Sequence, residues 1–146
     1  MKTVRLSHVY HNPPQKVWEV ATRIDCLQEG MRGLVTFKGM PDGAIYKGQV
    51  LDVEVSLFGL LPYQPYRMEL LECDPNSYHF ISNEVGMGVK HWQHSLWVRP
   101  HPHGAELIDE IEIDAGWRTS LVCAWARYMY KRRHKPRLAM LADHSL

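Results

Sequence analysis

The strongest constraint on the fold comes from two alternating stretches, residues 92–98 and 105–113, on either side of the sequence PHPHG (residues 100–104). A strand sends alternate side chains to opposite faces of a sheet, and directly opposed residues on paired strands share a face. If the chain reverses within PHPHG, the two stretches pair as an antiparallel hairpin. His94 then lies opposite Asp109, on a face that is otherwise apolar.

A histidine beside a carboxylate on an apolar face has three interpretations. In the first, the two groups satisfy each other's hydrogen bonds and only fix the strand register. In the second they orient a ligand, and in the third they act as an acid–base pair. The sequence leaves all three open for His94 and Asp109, because no nucleophile or metal motif accompanies them. On the opposite, mostly polar face, Trp97 and Ile108 are apolar. They predict a contact between two copies, so we expect a monomer or a homodimer.

The remaining pattern predicts a strand, two short helices, further strands and a long C-terminal helix. Residues 3–11 alternate, and the sequence NPPQKVWEVATRI that follows has helical spacing after a proline-rich start. Four more strands are expected before the hairpin. The last helix should cover residues 117–135 and break or kink at Pro136, which lacks a backbone donor. A long helix with an apolar stripe must cover one face of the antiparallel sheet, which makes the fold class α+β.

Composition narrows the classes of function. A chain of 146 residues suits one domain, here residues 1–146, and a net charge of +1 argues against nucleic-acid binding. The three cysteines are far apart, which favours a reducing cytoplasm. We see neither a signal peptide nor an apolar stretch long enough to span a membrane. Without H-E-x-x-H or a glycine-rich nucleotide motif, we expect no metal and no cofactor.

The order of elements resembles the START-related lipid-binding and polyketide-cyclase superfamily (SRPBCC), which has the helix-grip fold. The resemblance rests on NPPQKVWEV after the first strand, on the segment from FGLLPYQPY to NEVGMG, on HWQHSLWVRP with ELIDEIEI, and on a last helix that begins near AGW. It implies a curved sheet of about six to seven strands that wraps the last helix and leaves an elongated cavity. Members of the superfamily carry hydrophobic molecules or cyclise polyketide chains, so the resemblance implies one of these two activities.

We therefore expect a single helix-grip domain that binds or transports a hydrophobic small molecule. The alternative is a polyketide cyclase or aromatase with His94 and Asp109 as its acid–base pair. The loop FGLLPYQPY would gate the cavity through Phe58, Leu60, Leu61 and Tyr63. The inward faces predict a cavity lined by Leu51, Val53, Val55, Met68, Leu70, Phe80, Ser82, Trp92, His94, Leu107, Asp109, Ile111, Leu121, Trp125 and Met129.

Two charged features have a simple surface interpretation beside a functional one. Glu84 and Lys90 flank a tight GMG turn, so we expect an ion pair at the rim, with selection of polar ligand heads as the alternative. The run KRRHKPR (residues 131–137) should be a solvated helix end. A transient contact with an anionic membrane surface through Lys131, Arg132 and Arg133 is its alternative.

Overall fold

The computed structural model describes residues 1–143. It contains seven strands, four helices and one 3-10 turn in the described chain. In chain order these are β1 (Lys2–Tyr10), α1 (Pro14–Thr22), α2 (Ile24–Gly30), β2 (Val35–Lys38), β3 (Val50–Leu57), β4 (Gln64–Asp74), β5 (His79–Gly86), β6 (His91–His101), β7 (Gly104–Asp114), the 3-10 turn (Gly116–Arg118), α3 (Thr119–Arg132) and α4 (His134–Asp143). The predicted order of elements is confirmed.

The strands form one antiparallel sheet in the order β1-β7-β6-β5-β4-β3-β2. From β2 to β7 it is a meander, in which each strand pairs with the next, and β1 joins the far edge beside β7. The helices α3 and α4 follow the last strand and cover the inner face of the curved sheet. This is the α+β helix-grip architecture that the sequence predicted.

The β6–β7 hairpin has the predicted faces but not the predicted register. His101 pairs with Gly104, so the loop is only two residues long, and Val98 lies opposite Leu107 rather than Ala105. The strands are thus shifted by two residues, a shift that leaves every side chain on its predicted face because the side-chain period is two. His94 now lies diagonally across from Asp109, within reach of a long side chain.

Gly104 explains why the hairpin turns so tightly. Its φ of +140° is in a region that L side chains rarely adopt, and a Cβ atom there would lie 2.2 Å from the backbone oxygen of Tyr10. Only glycine allows β1 and the hairpin to approach so closely. The close approach brings Tyr10 next to the C-terminal helices.

The C-terminal helix breaks earlier than predicted. The break is at Arg133, and Pro136 is the third residue of α4. Proline fits the first turn of a helix, where its missing N–H would be unsatisfied anyway, but it clashes with a continuous helix before it. The chain therefore starts a new helix ahead of Pro136, and the break turns Arg133 towards the interior.

The face of α3 that is buried also differs from the predicted stripe. Ala126, Met129 and Tyr130 are buried, whereas Leu121 is 70% exposed. The predicted place of Leu121 in the cavity lining is therefore wrong. The inner face continues beyond the break as Arg133 and Arg137, which are both buried despite their charge.

Candidate ligand-binding cavity

A cavity of about 430 Å³ lies between the inner face of the sheet and the helices. Strands β2 to β6 form one wall, and α1, α2, α3 and α4 contribute the other. Ten of the predicted lining residues face this cavity: Leu51, Val55, Met68, Leu70, Phe80, Ser82, Trp92, His94, Trp125 and Met129. Their contact with a ligand stays a prediction.

Four other predicted lining residues are buried without reaching the cavity. Val53, Leu107, Asp109 and Ile111 are at most 6% exposed, and none belongs to the cavity wall. They share the inward face of their strands, but neighbouring side chains cover them. Asp109 is connected to the cavity through His94 and Arg137, which contact it and line the wall.

Sequence reasoning missed the contribution of the helices to the wall. Helices α1 and α2 place Val20, Ile24 and Leu27 against the cavity, and the α3–α4 junction adds Arg133 and Arg137. The apolar residues could have been found, since their helical spacing was visible. The two arginines could not, because nothing in KRRHKPR distinguishes a buried cation from a solvated one.

Asp109 is held between two partners at the inner side of the wall. Nε2 of His94 lies 2.7 Å from Oδ1, and Nη1 of Arg137 lies 3.4 Å from Oδ2. Burial alone would raise the pKa of Asp109, but the Arg137 charge and the His94 hydrogen bond outweigh it and hold the pKa far below its usual value. Asp109 is therefore a carboxylate at neutral pH.

This assignment fixes the tautomer of neutral His94. An ionised carboxylate can only accept, so Nε2 carries the proton and Nδ1 is left as an acceptor. None of the described residues forms a hydrogen bond with Nδ1. The ring also contacts Phe80 and Tyr130 edge-on, with centroid distances of 5.2 Å and 5.0 Å. The neutral form of His94 thus presents a positioned acceptor in an aromatic part of the wall.

A second set of polar side chains lies where β1 contacts α4, on the other side of Arg137 from Asp109. The Tyr10 hydroxyl lies 3.0 Å from Nδ1 of His134, which stacks on His8 at a centroid distance of 4.4 Å. Burial, followed by the nearby charge of Arg137, lowers the pKa of His134. The pKa of His8 is lowered by burial and then by His134 and Arg137. Both rings therefore favour the neutral form in the folded protein.

Glu84 faces the cavity instead of forming the predicted rim ion pair. Its Oε1 accepts a hydrogen bond from the Tyr66 hydroxyl at 2.5 Å, and its Oε2 accepts one from Ser82 at 3.2 Å. Burial, reinforced by the negative charge of Glu84, raises the pKa of Tyr66 well above its usual value, so the phenol keeps its proton. Within residues 1–143 no ion pair joins Glu84 to Lys90, and that prediction is wrong.

Arg133 is buried rather than part of a basic surface. Its Nε donates to the thioether of Met31 at 3.1 Å, and its guanidinium lies over the ring of Tyr130 at 4.1 Å. Lys131 and Arg132 do stay exposed, so contact with an anionic membrane through those two residues remains a prediction. The inclusion of Arg133 in that surface was wrong.

The predicted gate residues only partly line the cavity. Phe58 lines the cavity and contacts Trp125 edge-on at a centroid distance of 5.6 Å. Leu60, Leu61 and Tyr63 are exposed and do not belong to the wall. A gating role for the loop stays a prediction, and of the four predicted gate residues only Phe58 lines the cavity.

The predicted contact between copies loses one of its residues. Ile108 is only 2% exposed and lies opposite Trp97, which stacks on His79 at a centroid distance of 4.9 Å. Ile108 is therefore covered within its own chain.

In the part of the chain described, no helix has both the length and the apolar character needed to cross a membrane.

A family comparison places the chain. Residues 7–141 match the model of a domain of unknown function, DUF8410. The chain belongs to the DUF8410 family. No curated protein matches the sequence. The match covers almost the whole helix-grip domain. Because the family is described as a domain of unknown function, membership assigns no function to the chain.

Solved structures match the fold over nearly the full chain. Protein CV1439 from Chromobacterium violaceum has a TM-score of 0.76 at 17% identity, over 97% of this chain and 98% of that one. TTHA0849 from Thermus thermophilus has a TM-score of 0.76 at 12% identity, with coverage of 99% and 100%. Ara h 8.0201 has a TM-score of 0.72 at 10% identity, with coverage of 97% and 98%. At these identities the matches show the helix-grip fold alone.

Proposed function

We propose that the protein binds or transports a hydrophobic small molecule in the cavity between the sheet and the C-terminal helices. One observation carries the proposal, a cavity of about 430 Å³ with largely apolar walls. Small-molecule sites have this character, a mostly apolar pocket with a few polar groups that fix orientation. Here those groups include Ser82, Glu84, His94 and Arg133.

Within this function, the His94–Asp109 pair orients the ligand. Asp109 fixes the imidazole from behind, so Nδ1 accepts a hydrogen bond from a ligand hydroxyl or amide. Such a bond contributes about 0.5–1.5 kcal/mol. Replacing His94 by alanine should therefore weaken binding of a hydroxylated ligand without abolishing it.

Native mass spectrometry tests the proposal directly. The purified protein should carry a co-purified small molecule, or take up decanol when it is added. Met129→Trp places a larger side chain into the cavity and should reduce uptake, whereas Leu121→Trp, on the exposed side of the same helix, should not. A protein that takes up no decanol, or equal uptake by both variants, would count against the proposal.

A cyclase or aromatase activity is the second candidate, favoured by the 2.7 Å contact between His94 and Asp109. In this case His94 removes a proton from a poly-β-keto chain folded in the cavity, and Asp109 stabilises the imidazolium. Turnover of a poly-β-keto thioester should fall sharply in both Asp109→Asn and His94→Gln. No turnover by the wild-type protein would leave ligand binding as the function.

A further inference from the structure

The side chain of Arg133 is a buried cation that lacks a carboxylate partner. It is 8% exposed, lies in the cavity wall and forms no ion pair with any acidic side chain among residues 1–142. Its one donor contact ends on the Met31 sulfur, a weak acceptor. Four of the five N–H donors of the guanidinium therefore have no oxygen acceptor among the side chains and backbone of residues 1–142.

The two nearby carboxylates are already engaged. Asp109 is shared between His94 and Arg137, and Glu84 accepts two hydroxyl hydrogen bonds. The Tyr130 ring beneath Arg133 offers a cation–π contact, with the guanidinium 4.1 Å from the ring centroid. That contact leaves the edge of the guanidinium, where the N–H groups point, without an acceptor from the described residues. An unpaired buried charge is costly, so this edge needs an acceptor.

We propose that Arg133 binds the carboxylate head of an amphipathic ligand whose apolar part fills the cavity. The inference rests on the proposed ligand-binding function and names its ligand class, a hydrophobic carboxylic acid. A planar carboxylate matches the guanidinium fork and accepts two parallel hydrogen bonds. Tyr130 holds the fork in place from below, and Met31 fixes the Nε side.

Matched acids and alcohols separate this proposal from simple hydrophobic binding. Octanoate, decanoate and dodecanoate are compared with octanol, decanol and dodecanol by isothermal titration calorimetry near neutral pH. Each acid should bind at least about tenfold more tightly than its alcohol, the effect of one charge-assisted hydrogen-bonded pair. In Arg133→Met the preference for the acid should disappear while the affinity for the alcohol is kept.

Two further variants control for charge and for folding. Arg132→Met removes the neighbouring, exposed cation and should keep the preference. Arg133→Lys keeps the charge but loses the planar fork, so its preference should be intermediate. Retained alcohol binding in Arg133→Met would show that this variant is folded. If Arg133 had a purely structural role, its replacement would weaken the binding of acids and alcohols alike and would not remove only the preference for acids.

The outcomes are distinguishable. If the alcohols bind and wild type shows no preference for acids, or if Arg133→Met keeps the preference, the carboxylate site is wrong and hydrophobic binding stands. If neither the acids nor the alcohols bind, both the carboxylate site and the proposed function are wrong.

Discussion

Arg133, at the break between α3 and α4, and Arg137, in the first turn of α4, are both less than 10% exposed and still have different surroundings. Arg137 pairs with the buried Asp109 and lies beside Tyr10, a closed set of groups within the protein. Arg133 lies between a thioether and an aromatic ring. Equal burial therefore does not mean an equal role.

The difference separates stability from binding. A buried ion pair is strongly destabilised when one partner is removed, because the other charge is left alone. A buried charge without a partner is already destabilising, so its replacement by an apolar group costs little. We therefore assign Arg137 to the stability of the fold and Arg133 to the ligand.

The largest effect is expected for Arg137→Met. It leaves Asp109 buried without its cation, which should lower the free energy of unfolding by about 3–5 kcal/mol. Urea denaturation followed by circular dichroism measures the change. A loss below about 1 kcal/mol would show that His94 alone satisfies Asp109.

The coupling between Asp109 and Arg137 should be the next largest. In a double-mutant cycle, Asp109→Asn combined with Arg137→Met removes both charges, so the double variant should be more stable than the sum of the single changes implies, by about 0.5–3 kcal/mol. The same denaturation experiment measures it. Additive changes would mean that the 3.4 Å contact between Arg137 and Asp109 contributes no stability.

Arg133→Met should have a much smaller effect on stability. It removes an unpaired buried charge and adds an apolar side chain of similar length, so the free energy of unfolding should stay within about 1 kcal/mol of wild type. A loss as large as that of Arg137→Met would make Arg133 a structural residue and contradict the comparison.

The smallest effect is the pH dependence of stability that arises from the burial of His8 and His134. The pKa values of His8 and His134 lie below the ordinary value of 6.5 in the folded protein, first through burial and then through nearby positive charges. The unfolded chain therefore binds more protons below pH 6.5, so stability is full above that pH and falls as the pH decreases. His134→Gln should make this fall shallower in urea denaturation across the range from about pH 7.5 to about pH 5.5. An unchanged slope would show that His134 does not titrate differently on folding.

The sequence predicted the sheet because strand faces depend on a period of two. The register error in β6–β7 came from placing the reversal one residue too early, since PHPHG does not show which pair forms the two-residue loop. A shift of two residues leaves every side chain on its predicted face, so the predicted contact between His94 and Asp109 still forms.

The helix side of the cavity was less predictable. The large apolar residues of α3 predicted an inner face that included Leu121, whereas the structure exposes Leu121 and buries Ala126 on α3. Beyond the helix break it also buries Arg133 and Arg137. Helix propensity does not distinguish these faces, and a buried cation is rare enough that a basic run is taken as surface. The packing of α4 against Tyr10 and Asp109 determines which helix residues face the interior, and the sequence pattern does not show this packing.

A titration observed through the methionine methyl groups tests the central claim most directly. Met31, Met68, Met87, Met129 and Met140 line the cavity, whereas Met1 and Met40 do not. With ¹³C-methyl-labelled methionine, addition of decanoate should shift the signals of the first five and leave the other two unchanged. Shifts confined to Met1 and Met40, or no shift at saturating decanoate, would contradict a cavity that takes up a hydrophobic ligand.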